Sequence, residues 1–316
     1  MNTPTKLGAY VLGLAAVFAG AVGVGDVAGP ATAKTEAKAS DGHGAHGTPA
    51  TAPAGPISGG LQVTQDGYTL VPRSVTVPAG EKTDFTFTVN GRDGRPVTRF
   101  ATLHGKKLHL IVVRRDLSGF QHLHPTENGA GVWSIPLTLP DPGAYRMFTD
   151  VQPEGAARQL TLGVDVTAPG DYRPEALPKA EQTARVDGYE VKLEGTLVPG
   201  RTSKLTLTVH KDGRPVTDLE PYLEAYGHLV ALRSGDLAYL HVHPDGSPGD
   251  GRTRPGPQIT FYAEVPSSGA YRLYLDFQHG GKVRTAEFTA VAGHGEIPAA
   301  PAPAPADDGH GHTHGH

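Results

Sequence analysis

Cysteine does not occur in the 316-residue chain. Its absence removes disulfides, thiolate metal ligands, a cysteine nucleophile and a lipid-modified cysteine anchor together. Methionine is nearly absent too, with Met1 and Met147 alone, so a methionine-rich Cu(I) site has no ligands. Charge of one sign is also lacking. The formal net charge is −4, the pI is about 6.5 and no polybasic cluster occurs, so nothing electrostatic favours nucleic acid or an anionic membrane surface. No window carries a clean helical stripe. A nucleophile elbow, a P-loop and a dinucleotide fingerprint are missing as well.

What the chain has in excess is histidine, with 16 residues, and its Gly 42 and Pro 28 gather at the ends and in turns. Lys6 precedes an apolar run from Leu7 to Val24, and Ala31-Thr32-Ala33 fits a small-residue cleavage pattern. Residues 1–33 therefore read as a signal peptide, cleaved or retained as an N-terminal membrane anchor, and either places the remainder outside the cytoplasm. Residues 34–60 are polar and rich in Gly, Ala and Pro, the composition of a flexible linker. Residues 293–316 mirror them, with an Ala-Pro stretch leading to a tail that holds His310, His312, His314 and His316. Such tracts bind Zn(II), Ni(II) or Cu(II) loosely.

Between these ends the chain repeats itself. Asp93-Gly94-Arg95-Pro96-Val97-Thr98 recurs as Asp212-Gly213-Arg214-Pro215-Val216-Thr217, and His122-Leu123-His124-Pro125 as His241-Val242-His243-Pro244. Gly143-Ala144-Tyr145-Arg146 recurs as Gly269-Ala270-Tyr271-Arg272 after a short insertion in the Gly/Pro-rich stretch 245–256. Threonine-spaced runs and frequent Asp-Gly and Pro-Gly turns mark both copies as β. The reading is all-β: two tandem immunoglobulin-like or cupredoxin-like β-sandwiches at 61–168 and 183–292, joined by a linker at 169–182.

The histidines fall at matched places in the two copies. In the first, Leu108-His109-Leu110-Ile111-Val112-Val113 and Phe120-Gln121-His122-Leu123-His124 form a hairpin if 114–117 is its loop, which sets His109 opposite His122. His122 and His124 share a face by period two. The second copy repeats this with loop 233–236, His228 opposite His241, and His243 beside them, while Leu229, Ala231, Leu240 and Val242 take the core side. Three imidazoles on one face suit Cu(II) or Zn(II). Asp150 and its equivalent Asp276 are candidate fourth ligands. His104 supplements the first copy and His279 the second.

The stretches 226–230 and 236–244, with the matching 108–125, resemble a family of secreted or membrane-anchored bacterial proteins described as YtkA-like or heavy-metal-binding. The resemblance spans most of 61–292. It implies Ig-like sandwiches and, by looser analogy, copper handling like that of CopC-type proteins. CopC-type sites often use an N-terminal histidine, whereas cleavage after Ala33 leaves Lys34.

The resulting expectation is a non-enzymatic extracytoplasmic protein that buffers, sequesters or delivers copper or zinc, with a membrane metal transporter or an envelope oxidase as partner. One rival is an enzyme, since His-Val-His in a β-sandwich resembles copper–zinc superoxide dismutase. That family needs a bridging histidine and further ligands, and no such spacing follows His243. The other rival is a metal-free adhesion or scaffold module.

Overall fold

The threonine-spaced runs of both repeats become strands whose alternate residues are buried. The computed structural model describes residues 58–293, with the backbone alone for His241 and His243. The expected signal or anchor, most of the linker 34–60 and the histidine tail lie outside the described residues. Repeat 1 contains β1 (Thr64–Gln65), β2 (Tyr68–Pro72), β3 (Thr83–Asn90), β4 (Leu108–Arg114), β5 (Gln121–Leu123), β6 (Thr126–Glu127), β7 (Val132–Leu137), β8 (Gly143–Val151) and β9 (Leu160–Ala168). Repeat 2 contains β10 (Thr183–Val186), β11 (Tyr189–Glu194), β12 (Thr202–Lys211), β13 (Arg214–Pro215), β14 (His228–Arg233), β15 (Tyr239–Pro244), β16 (Gln258–Glu264), β17 (Gly269–His279) and β18 (Lys282–Ala292). The described chain is all-β.

Repeat 1 is a sandwich of two antiparallel sheets, ordered β1-β2-β3-β7-β6 and β5-β4-β8-β9. Repeat 2 has the same order, but its layers are joined. β15 pairs with β14 through residues 239–241 and with β16 through 242–244, so it crosses from one layer to the other. In repeat 1 that crossing is broken into β5 and β6 around His124-Pro125. The His-x-His-Pro blocks thus mark the corner at which each sandwich changes sheets.

Each sandwich has its own core. Leu108, Leu110 and Val112 of β4 point into the first, with Phe87, Trp133 and Tyr145. Leu229, Ala231, Leu240 and Val242 point into the second, on the side the alternation assigns them. The Gly-Ala-Tyr-Arg motifs build a tyrosine corner in each: Tyr145 Oη donates to Asp141 O at 2.8 Å and Tyr271 Oη to Ser267 O at 2.9 Å.

A third cluster lies where the two sandwiches, which fall in one compact unit, face each other. Ile111 and Val113 from the outer face of β4 meet Val230 and Leu232 from the outer face of β14, together with Leu117, Phe148, Leu237, Tyr239 and Tyr274. The aromatic contacts are exchanged between repeats: Phe120 stacks on Tyr274 with centroids 3.9 Å apart, and Tyr239 tilts over Phe148 at 5.5 Å. Because β4 has a sandwich core on one side and this seam on the other, all seven of its residues are buried. Each fully buried side chain of this size contributes roughly 1.5–3 kcal/mol, and Tyr274 Oη adds a hydrogen bond across the seam to Leu117 O at 2.6 Å.

Two segments cross the seam. Linker residues 169–182 carry no strand, yet Glu175 N donates to Asp116 Oδ2 at 2.8 Å, and Leu177 packs on the seam cluster. At the other end, residues 58–62 form a strap rather than free linker. Tyr239 N donates to Gly59 O at 3.0 Å, Gly60 N to Thr161 O at 2.9 Å and Gly163 N to Gln62 O at 2.8 Å. Arg146 Nε closes on Gly60 O at 3.1 Å. A Cβ at Gly163 would overlap the Gly60 carbonyl oxygen, which is why no side chain stands there.

Candidate metal centre

The outer face of β4 that carries Ile111 and Val113 into the seam also carries His109, one step before them. β8 pairs with β4 and sets Asp150 opposite His109, and β17 sets Asp276 opposite His228. The hairpins differ from the sequence expectation. His122 pairs with Ile111, not His109, and His241 pairs with Val230, not His228. Both ladders are displaced by two residues because the turns are longer than four. Arg114 N donates to Ser118 O, and Arg114 Nε bonds both Asp116 Oδ1 and Ser118 Oγ at 3.0 Å. Leu117 takes a φ of 69° and Leu237 one of 60°, which turns each leucine into the seam. An even displacement preserves parity, so His109 and His122 still share a face.

Their nitrogens converge. His109 Nδ1 lies 3.1 Å from His122 Nε2 and 3.2 Å from His124 Nε2. His228 enters from repeat 2: its ring is stacked on that of His109 at 5.7 Å and lies 5.1 Å from that of His122. Donor atoms of His109, His122 and His228 all fall within 4.8 Å of one another. The rings therefore form two overlapping triads that share His109 and His122, with His124 on one side and His228 on the other.

The outward nitrogens fix the tautomers. His109 Nε2 is 2.9 Å from the Leu103 carbonyl oxygen, which only accepts, so Nε2 carries the proton. His122 Nδ1 is 2.7 Å from Asp276 Oδ2, so it donates there. In neutral rings the facing atoms, His109 Nδ1 and His122 Nε2, are then both lone pairs. Two lone pairs at 3.1 Å repel unless a cation or a further proton sits between them. A tetrahedral ion at ~2.0–2.1 Å from each imidazole sets its donor nitrogens about 3.3 Å apart, close to the observed spacing. Burial resists the extra proton at two of the rings. It lowers His109 to about 4, with the charges of His122 and His104 adding to it against the Leu103 bond and Asp150. Burial, with His122, His109 and Lys106, lowers His124 to about 3.

Other expected residues fall around this group or outside it. The His104 ring lies 5.5 Å from that of His228 and 6.1 Å from that of His109, at the rim. Asp150 and Asp276 stand behind the rings, each accepting a threonine hydroxyl, from Thr161 at 2.5 Å and Thr285 at 2.6 Å. His241 and His243 hold the backbone positions equivalent to His122 and His124. His279 is elsewhere. It is three residues from Asp276 along β17, hence on the opposite face, and it bonds Tyr189 Oη at 2.6 Å and Asp218 Oδ1 at 3.1 Å. Tyr222 was not anticipated. Its ring is 6.2 Å from that of His124, and burial beside the Asp276 charge pushes its phenol up to about 12.

The chain belongs to the family described as "Domain of unknown function (DUF8832)", whose model matches residues 62–168 and again 184–293. No curated protein matches the sequence. Among solved structures, the Escherichia coli adhesin FdeC is 16% identical with a TM-score of 0.22, the alignment covering 75% of this chain and 66% of that one. Invasin, a bacterial integrin-binding protein, is 15% identical with a TM-score of 0.20, covering 71% and 39%. Yersinia pseudotuberculosis InvD is 14% identical with a TM-score of 0.23, covering 72% and 58%.

Proposed function

We propose that the chain is a non-enzymatic, extracytoplasmic protein that binds Cu(II) or Zn(II) at the inter-sandwich histidine cluster and buffers, sequesters or delivers it. His109, His122, His124 and His228 are its ligands. The observation that carries the reading is the pair of lone-pair nitrogens held 3.1 Å apart by outward hydrogen bonds that fix both rings. Neutral imidazoles suit borderline divalent ions, among which Cu(II) binds most tightly to a given donor set. A membrane metal transporter or an envelope oxidase would exchange metal with it.

The test is a Zn(II) and Cu(II) titration of the chain beside its His109→Ala/His122→Ala variant. A tight step is expected in the parent and absent from the variant, with loose binding to the terminal histidines unchanged in both. At a free metal concentration a hundred times Kd, binding adds roughly 2.7 kcal/mol of stability, reversed by a chelator.

A second reading draws on the same 2.7 Å contact between His122 and Asp276. A doubly protonated His122 would donate to both Asp276 and His109, and the cluster would latch a metal-free scaffold or adhesion module. Thermal unfolding that ignores both chelator and added metal would favour it.

A further inference from the structure

Asp276 and Asp150 occupy equivalent places in the two repeats. Each stands in register with the first histidine of its own repeat. Each has one oxygen fixed by the hydroxyl of the threonine across the neighbouring ladder. The other oxygen of Asp276, Oδ2, reaches His122 Nδ1 of the other repeat at 2.7 Å. The two side chains are 3% and 2% exposed. A buried carboxylate needs hydrogen-bonded partners, and Thr285 and His122 supply them. The two central ligands are thus oriented from different sources. His109 is held by Leu103 O of its own repeat, His122 by a carboxylate of the other.

We propose that Asp276 is a positioning residue acting through His122: repeat 2 supplies the carboxylate that sets the tautomer of a ligand supplied by repeat 1. The inference rests on the metal reading above and adds that the centre exists only where the two repeats meet. A carboxylate on Nδ1–H keeps Nε2 bare, makes it more basic and stops the ring from rotating. An asparagine keeps the shape but removes the charge. Its amide nitrogen, turned toward Nδ1, would favour the other tautomer and put a proton on the donor atom.

The experiment compares the full chain with Asp276→Asn, using Co(II) absorption and competition with Zn(II). The tight Zn(II) affinity is expected to fall about 10–100-fold in the variant. Long-range proton–nitrogen NMR of the metal-free proteins is expected to show His122 protonated at Nδ1 in the parent and the preference lost in the variant. A purely structural role would leave that preference unchanged. Equal affinity in the two chains overturns the positioning role and leaves the metal reading standing. No tight step in the parent removes the metal reading itself. If Asp276→Asn fails to unfold cooperatively, Thr285→Val decides. It keeps the charge but frees the carboxylate, and a several-fold loss of affinity is expected, whereas an unchanged affinity overturns the proposal.

Discussion

Two imidazoles of the cluster, His109 and His124, lie about 4 and about 3 in the metal-free fold against an ordinary 6.5, chiefly because burial penalises the charged ring. An unfolded chain takes up these protons as soon as pH drops through 6.5, while the folded chain takes them up only near the depressed values. The two histidines therefore add stability that is complete above 6.5 and is lost progressively on the way down toward 4. Urea unfolding with chelator present should show a lower midpoint at about pH 5 than at about pH 7.5, and His109→Gln/His124→Gln should flatten the difference. An equally steep dependence in that variant would locate the acid sensitivity elsewhere.

At the scale of elements, the strap and the turns show where sequence patterns stop carrying information. Gly163 lies in β9 on the face that receives the Gly60 carbonyl, and Arg146 reaches past it to the same oxygen. Gly163→Ala should push the strap away and cost about 1–3 kcal/mol, the range for a side chain forced into filled space. Limited proteolysis near residue 60 should accelerate with it, and unchanged stability and cleavage would show that the strap does not hold the fold. The strap was invisible in the sequence because Ser58-Gly59-Gly60 has the composition of a linker, and its partners lie far along the chain. The strands were legible, since threonine-spaced runs such as Phe85 to Val89 need only a period of two. The hairpin registers were not. A leucine at positive φ, as at Leu117 and Leu237, has no local signature, being held there by the seam it fills. The shared face of His109 and His122 remained readable because parity survives an even displacement. The unbroken run Leu108-His109-Leu110-Ile111-Val112-Val113 did hold a further clue. A strand apolar on both faces must be covered on both, and the second cover is the other sandwich.

At the scale of the whole molecule, the seam joins two sandwiches of the same strand order through one buried apolar cluster. Leu232 is fully buried there rather than in its own core. The chain's single tryptophan, Trp133, lies in the core of repeat 1 and reports on that sandwich alone. Tryptophan fluorescence and far-ultraviolet dichroism should therefore trace one coincident transition on heating. Leu232→Ala, on repeat 2, should lower the tryptophan transition of repeat 1 as well, at a cost of about 2–5 kcal/mol. Separated transitions would mean that the sandwiches stand independently and that the histidines meet across a weak contact.

The strap also determines how the molecule transmits force. Gly59 is hydrogen-bonded to β15 of one sandwich and Gly60 to β9 of the other, with the Arg146 guanidinium closing over the second. Tension arriving from the upstream chain thus meets both sandwiches within a few residues. Its first load falls on the bond between Gly59 and Tyr239, at the start of the strand that carries His241 and His243.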